Sequence, residues 1–292
     1  MKIVNSPREM QELADAARRV GERIAFVPTM GYLHEGHLSL MHEGRRRGTM
    51  LVASIFVNPT QFGPNEDLSR YPRDMPRDCE MMRTVPVDVL FNPEPADMYP
   101  AAAQTWVEVT GLTRGLCGPL RPGHFRGVAT VVAKLFNIVK PHLALFGEKD
   151  YQQLRTIQQM VRDLNMDIEI VPMPTVREPD GLAMSSRNAY LSPADRKTAL
   201  SISRALAASR TALATGARAA ADLARAARTV LENEPGVEIE YVEAVDAESL
   251  DPVGAVERPI VVAIAARVGK VRLIDNMVLM PGLATVADQP AR

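Results

Sequence analysis

Cysteine is nearly missing from this chain: Cys79 and Cys117 are the only two in 292 residues. Two thiols cannot build a disulfide framework, and their spacing matches no metal motif, so each is expected to be buried or idle. An excess of charge of one sign is missing too. Lys and Arg number 34 against 35 Asp and Glu, a net charge of −1, which leaves no basic surface for bulk nucleic-acid binding. The one compact basic run, Arg45-Arg46-Arg47, is short and reads as a solvated helix end whose cations complement the C-terminal dipole. No stretch approaches the roughly 20 apolar residues that span a bilayer. No signal-type apolar core opens the chain, and residues 1–20 read instead as an amphipathic helix. A cytoplasmic location is expected, with no membrane partner. Also absent are a G-x-G-x-x-G fingerprint after the first strand, which argues against a dehydrogenase, any zinc or calcium ligand pattern, a Ser-His-Asp or Cys-His nucleophile, and any internal repeat.

What is present is an ordinary globular composition, 46% apolar and 24% charged, in a chain long enough for one large α/β domain or two ordinary ones. Ser6-Pro7-Arg8-Glu9 offers a helix cap, a first-turn proline and a capping box, with Met10, Leu13, Ala14 and Ala17 as the buried stripe and Gly21 as the stop. Apolar runs at 24–27, 50–57, 87–91, 142–147 and 168–171 predict strands. Helical patterns cover 70–83, 128–139 and 151–164, while 58–64 and 92–100 read as loops. Strands alternating with helices predict right-handed βαβ units around a parallel sheet. After residue 176 the composition changes. An alanine-rich helical region over 194–231, opened by Ser192-Pro193, precedes strand-like stretches at 237–245, 260–267 and 271–280, the last two joined by a turn at Val268-Gly269-Lys270. The expected fold is therefore α/β: a Rossmann-like parallel-sheet domain over 1–176, a smaller α+β domain over 177–282, and a loose tail over 283–292.

The most informative stretch is Pro28-Thr29-Met30-Gly31-Tyr32-Leu33-His34-Glu35-Gly36-His37. It links the strand at 24–27 to a helix whose apolar face starts at Leu38, Leu40 and Met41. Two imidazoles three residues apart lie on one face of the first helical turn. Unpaired backbone N–H groups and the positive end of the helix dipole point the same way. Gly36 costs about 1 kcal/mol relative to Ala inside a helix, but it lets a ligand approach the backbone. Such an assembly suits a phosphate chain, with imidazolium N–H groups donating to its oxygens. In parallel sheets ligands bind beyond this end of the strands.

A second constellation, Gly147-Glu148-Lys149-Asp150-Tyr151-Gln152-Gln153, follows another strand. Lys149 would project toward the same crevice, although Asp150 with Gln153 also makes a capping box that needs no function. Three further segments stay open on residue type alone. Ala183-Met184-Ser185-Ser186-Arg187-Asn188 suits a phosphate clamp or an ordinary polar linker. Gln61 offers an amide for a small polar substrate, while a turn explains Asn58-Pro59 equally well. Arg121-Pro122-Gly123-His124-Phe125-Arg126-Gly127 suits a substrate-side loop and a helix entry alike.

The order of these motifs over residues 26–188 resembles the pantothenate synthetase family, the pantoate–β-alanine ligases. Five separated runs carry the likeness: the stretch from Pro28 to His37, Val57-Asn58-Pro59-Thr60-Gln61-Phe62, Pro122-Gly123-His124-Phe125, and the segments at 147–153 and 184–188. His-x-Gly-His alone would place the chain only in the wider nucleotidylyltransferase and class I tRNA-synthetase superfamily. The resemblance implies a ligase that makes an enzyme-bound pantoyl adenylate and pyrophosphate from (R)-pantoate and ATP. β-Alanine then displaces AMP to give pantothenate.

It further implies that Met30, Gly31, Tyr32, Leu33, His34, Glu35, Gly36, His37, Gly147, Glu148, Lys149, Asp150, Val176, Met184, Ser185, Ser186 and Arg187 bind ATP. His37, His34 and Lys149 would be catalytic, with His37 as proton donor and Lys149 neutralising phosphoryl charge. Gln61 and Gln153 would hold pantoate, and Gln61 would border the β-alanine site. Magnesium (Mg2+) would ride mainly on ATP's own oxygens, with Asp150 as its protein contact. The smaller domain would act as a lid and belong to a homodimer. Two other readings stand beside this one. A nucleotidyltransferase that leaves AMP on its product shares the turn but gives no reason for Gln61 and Gln153. A catalytically silent nucleotide-binding regulator is opposed by the intact histidines and Lys149.

Overall fold

The near-continuous apolar runs of the first half form a parallel sheet covered on both faces. In the computed structural model, which describes residues 1–64 and 66–281, the strands are Lys2–Val4 (β1), Ile24–Thr29 (β2), Met50–Ile55 (β3), Val89–Phe91 (β4), Leu143–Gly147 (β5) and Glu169–Met173 (β6). They make one six-stranded sheet in the order β1-β4-β3-β2-β5-β6, every neighbouring pair parallel. The helices of this half are Pro7–Arg19 (α1), Glu35–Arg47 (α2), Met75–Thr84 (α3), Pro95–Met98 (α4), His124–Val139 (α5) and Tyr151–Asp163 (α6). Side chains alternate across the sheet as strand geometry requires. Ile24, Phe26, Met50 and Val52 pack with α1, α5 and α6, whereas Ala25, Val27, Leu51 and Ala53 pack with α2 and α3. That double burial is why these strands read as unbroken apolar runs.

The strand order decides where a ligand can sit. From β2 the chain moves outward through β3 to β4, then returns to lay β5 against the other side of β2, pairing Ala25 with Leu143 and Phe26 with Ala144. The direction reverses between β2 and β5, and in such sheets the crevice at the strands' carboxyl ends opens there. Two loops far apart in sequence therefore leave the sheet side by side.

Several local expectations change. Residues 1–20 are not one helix: Lys2–Val4 pairs with β4, and a three-residue strand is too short to show a period. Ser6 does cap α1, accepting from Glu9 N–H at 3.4 Å, but the Glu9 carboxylate meets Lys2 at 2.8 Å. Helix α3 starts at Met75 rather than near residue 70, because Asp74 caps it by accepting from Arg77 N–H at 3.2 Å. The loop expected over 92–100 carries the single turn of α4. At the basic run, Arg46 and Arg47 pair with Glu43 and Arg45 with Asp88, all at 2.6 Å. Cys79 and Cys117 are buried.

The described residues divide into two compact units. The first holds Met1–Arg114, Gly118–Val176 and Met184–Ser186; the second holds Gly115–Cys117, Arg177–Ala183 and the chain from Arg187 onward. In the second unit Val237–Asp246 (β7), Ile260–Val268 (β8) and Val271–Leu279 (β9) form an antiparallel sheet, with Gly269 at φ +57° in the turn between the last two. Pro193–Ala214 (α7) and Ala220–Glu232 (α8) complete its core through Leu206, Leu223 and Leu231 against Val262 and Ile264. Ser192 caps α7 by accepting from Asp195 N–H at 3.1 Å. The tail expected over 283–292 lies outside the described residues. Among the described residues no helix is long and apolar enough to cross a membrane.

Candidate active site

Strand β2 passes into α2 through a left-handed turn, with Gly31 at φ +82° and Tyr32 at φ +50°. Glycine is required at the first position twice over, since a Cβ there would also stand 3.1 Å from Asp78 Oδ2 and from Ile55 Cγ2. Asp78, buried in the first turn of α3, accepts Tyr32 N–H and Leu33 N–H, each at 2.7 Å. Beside it, Arg77 donates to the Leu33 carbonyl at 2.9 Å and lies 5.1 Å above the Tyr32 ring. Gly31 N–H donates to Thr29 Oγ1, and His34 N–H to His37 Nδ1. The expectation of open amides throughout this turn is thus corrected: those of Gly31, Tyr32, Leu33 and His34 are committed within the protein. Glu35 and Gly36, the first two residues of α2, retain amides that lack an intrahelical acceptor.

The two imidazoles stack with centroids 4.0 Å apart and a 35° tilt. Because His37 Nδ1 accepts from His34 N–H at 3.3 Å, the neutral ring carries its proton on Nε2. Burial, then repulsion from His34 and Lys149, holds the His37 pKa well below the ordinary histidine value. His37 is therefore a neutral donor, which corrects the imidazolium expected above. Gly36 makes room for its neighbour: a Cβ there would lie 2.9 Å from both Nδ1 and Cε1 of His34.

Strand β5 ends at Gly147 and runs through a short 3-10 turn, Glu148–Asp150, straight into α6. Lys149, mostly buried, stands 3.8 Å from Asp150 Oδ2, and its charge is felt at His37. The capping box expected of Asp150 and Gln153 does not form, because the 3-10 turn supplies the helix entry and Asp150 makes no side-chain cap. Gln153 is half-buried in the first turn of α6. The segment Met184–Ser186 lies on the histidine turn. Ser186 Oγ donates to the Tyr32 carbonyl at 3.1 Å, Met184 N–H donates to the Val176 carbonyl at 3.0 Å, and a Cβ at Gly36 would be 3.8 Å from Met184 Cβ. Arg187 is the first residue of the following stretch of the second unit, where Asn188 Nδ2 donates to Glu178 and to the Ala183 carbonyl.

Gln61 follows β3, and backbone groups set the direction of its amide. Asn58 Oδ1 accepts Thr60 N–H at 3.3 Å, so Asn58 Nδ2 must donate, to the Gly127 carbonyl and to Gln61 Oε1, each at 3.1 Å. Gln61 Nε2 is then left facing the Met30 sulfur at 3.1 Å, at the end of β2. Asn58 is a turn residue that also orients the Gln61 amide. Tyr99 secures it by donating its hydroxyl to Asn58 Oδ1 at 2.9 Å.

The Arg121–Gly127 stretch is a helix entry that also holds the Gln61 loop. His124 begins α5, and its Nδ1 lies 2.8 Å from the Gln61 carbonyl. Arg121 Nη1 is 3.0 Å from His124 Nε2, while its guanidinium grips Glu66 at 2.6 and 2.5 Å. Burial and the Arg121 charge push the His124 pKa down to about 4, so the ring is neutral and donates from Nδ1. Gly127 is obligatory here, since a Cβ would sit 2.5 Å from the Thr60 carbonyl oxygen. Sequence reasoning missed Asp78 and Tyr99 altogether, because their contacts cross 46 and 41 residues and carry no local pattern.

A family model for pantoate-beta-alanine ligase matches residues 2–278. The chain belongs to the pantoate–β-alanine ligase family. Among ligases of this family, the pantothenate synthetase of Geobacter sulfurreducens is 56% identical over 279 residues, covering 96% of this chain and 99% of that one. That of Thermotoga neapolitana is 53% identical over 279 residues, covering 96% and 100%. The crystal structure of pantothenate synthetase from Thermus thermophilus superposes with a TM-score of 0.90 at 47% identity, covering 95% of this chain and 99% of that one. A pantoate–β-alanine ligase from Francisella tularensis, complexed with β-γ ATP and β-alanine, superposes with a TM-score of 0.79 at 35% identity, covering 95% and 97%. The fold and enzyme class implied by the motif order are those of the family.

Proposed function

We propose that this chain joins (R)-pantoate and β-alanine to give pantothenate, AMP and pyrophosphate through an enzyme-bound pantoyl adenylate. The observation that carries the reading is the convergence of His37, Lys149 and the oriented Gln61 amide at the ends of three adjacent strands. The Francisella tularensis neighbour, with β-γ ATP and β-alanine bound, supports both as ligands here.

A carboxylate and an amine do not condense readily in water. In the first step a pantoate carboxylate oxygen attacks the α-phosphorus of ATP, and the bond to pyrophosphate breaks as the new O–P bond forms. His37 Nε2–H donates a hydrogen bond to a phosphate oxygen while Lys149 offsets the growing charge, a well-placed donor contributing about 2.7–4 kcal/mol. Burial, more than repulsion from His34 and Lys149, keeps His37 neutral, and the entering triphosphate offsets only the repulsion. The Glu35 and Gly36 amides, Ser185 and Ser186 complete the phosphate site, to which the family resemblance adds Arg187. Met30, Gly31, Tyr32 and Leu33 form its wall, and Gly147, Glu148 and Val176 border the nucleotide. Gln61 Nε2 and Gln153 hold pantoate oxygens. In the second step the amine of β-alanine, next to Gln61, attacks the acyl carbon. The C–O bond to AMP breaks and the nitrogen gives up a proton.

Magnesium fits this donor set only as a passenger on ATP. Asp150 is a single half-exposed carboxylate, and among the described residues no three His, Cys, Asp or Glu side chains gather to hold an ion. Bound with ATP, the ion would offset phosphate charge. The family resemblance alone supports a homodimer and a cytoplasmic location.

The deciding experiment measures pyrophosphate released from ATP and pantoate, followed by addition of β-alanine. Pyrophosphate before the amine, with AMP only after it, is the expected result. A product that keeps AMP attached would favour the nucleotidyltransferase reading, and absence of turnover the silent regulator.

A further inference from the structure

Asp78 is the most deeply buried acidic side chain among the described residues, and the reaction does not use it. Asp78 is 1% exposed, and the cation beside it, Arg77, is no nearer than 3.8 Å. A carboxylate so placed is costly unless its oxygens are met. Here the Tyr32 and Leu33 amides meet them, one to each oxygen at 2.7 Å, across a turn whose residues 31 and 32 are both left-handed. We infer that Asp78 is a positioning residue for adenylate formation, its carboxylate clamping the Tyr32 and Leu33 amides and thereby setting where the His34 and His37 rings stand.

The mechanical link is short. Leu33 precedes His34, and the His34 N–H is the group that holds His37 Nδ1 and keeps the ring's proton on Nε2. A shift of the Leu33 amide is therefore passed to the donor itself. The clamp also withdraws two amides from the phosphates, so of this turn's backbone donors the triphosphate keeps those of Glu35 and Gly36. Gln61 stands on another loop, secured by Asn58, Tyr99 and His124, so pantoate recognition is independent of the clamp.

The inference rests on the assignment of the histidine turn to ATP, and its test separates the two. Asp78→Asn keeps the shape of the side chain but accepts at one end only, so one turn amide faces an NH2 group. Single-turnover pyrophosphate release is expected to fall about tenfold to a hundredfold, the worth of one hydrogen bond to a charged group. Pantoate affinity by calorimetry should stay within about twofold, and the His37 ring nitrogens should lose the single Nε2–H signature in NMR. Release at the wild-type rate, or an unchanged His37 signature, overturns the clamp. Should the variant not fold, the wild-type amides decide. On titration with β,γ-methylene ATP, Gly36 is expected to shift strongly and Tyr32 and Leu33 little, and equal shifts at all three overturn the inference. A wild-type enzyme that releases no pyrophosphate refutes the ligase reading instead, and the amide titration still judges the clamp.

Discussion

Replacing Gly36 by alanine should move stability and activity in opposite directions. Gly36 is the second residue of α2, where alanine favours the helix by up to about 1 kcal/mol. The added Cβ would lie 2.9 Å from the His34 ring, roughly 0.6 Å inside the ordinary carbon contact of about 3.5 Å. The backbone on either side is constrained, by the Asp78 bonds to Tyr32 and Leu33 before it and by α2 after it. The imidazole is thus the part that yields, and a side chain swings at small cost. Function has no such latitude, because a misplacement approaching 1 Å near the reacting atoms costs on the order of a hundredfold. The expected result for Gly36→Ala is a thermal midpoint unchanged or raised by about 2 °C, with single-turnover pyrophosphate release reduced about 30- to 100-fold. A variant at full rate would show that the position of the His34 ring is immaterial. A midpoint lowered by several degrees would show that the backbone, not the ring, takes the strain.

Three other outcomes follow from the same geometry. His37→Ala removes the Nε2 donor and should slow adenylate formation on the order of a hundredfold or more; an unchanged burst of pyrophosphate would refute its role. Gln61→Glu keeps the Asn58 contact but turns a carboxylate oxygen where Nε2 stood, so pantoate Kd should rise more than about tenfold while ATP Kd moves less than about twofold. Calorimetry showing the reverse would contradict the assignment. His124 titrates near 6.5 in the unfolded chain and at about 4 in the folded one. Between those values the unfolded chain binds the extra proton, so stability is full above about pH 6.5 and falls as pH drops toward 4. His124 alone should remove about 2 kcal/mol at pH 5, read as a lower urea midpoint than at pH 7. A His124→Gln variant with the same pH slope as the wild type would disprove this.

Much of the site was legible one loop at a time. The 34–37 spacing puts both rings on one helical face, and the rings do stack. Gln61 and Lys149 stood out as polar groups closing apolar strands. What could not be read was their convergence: the Lys149 charge is felt at His37 only because β5 lies against β2, a pairing of residues more than a hundred positions apart. Protonation states were equally hidden. The imidazolium expected at His37 gives way to a neutral ring chiefly because of burial, with repulsion from His34 and Lys149 added, and of these only the His34 neighbour is a property of the local sequence. The amides expected to be open at Tyr32 and Leu33 are taken by a carboxylate 46 and 45 residues away. Short elements escaped for a simpler reason, since β1 has three residues and α4 four, too few to display a period.

By itself the sequence determined which segments become buried strands, which become amphipathic helices, and which turns carry imidazole, amide and ammonium groups. Those choices depend on steric preference and apolar spacing within a few residues. Only the tertiary structure decided which turns share the crevice beside β2, which backbone donors remain for a ligand, and on which nitrogen His37 keeps its proton. Each of those depends on desolvation and on hydrogen-bond partners delivered from distant parts of the chain.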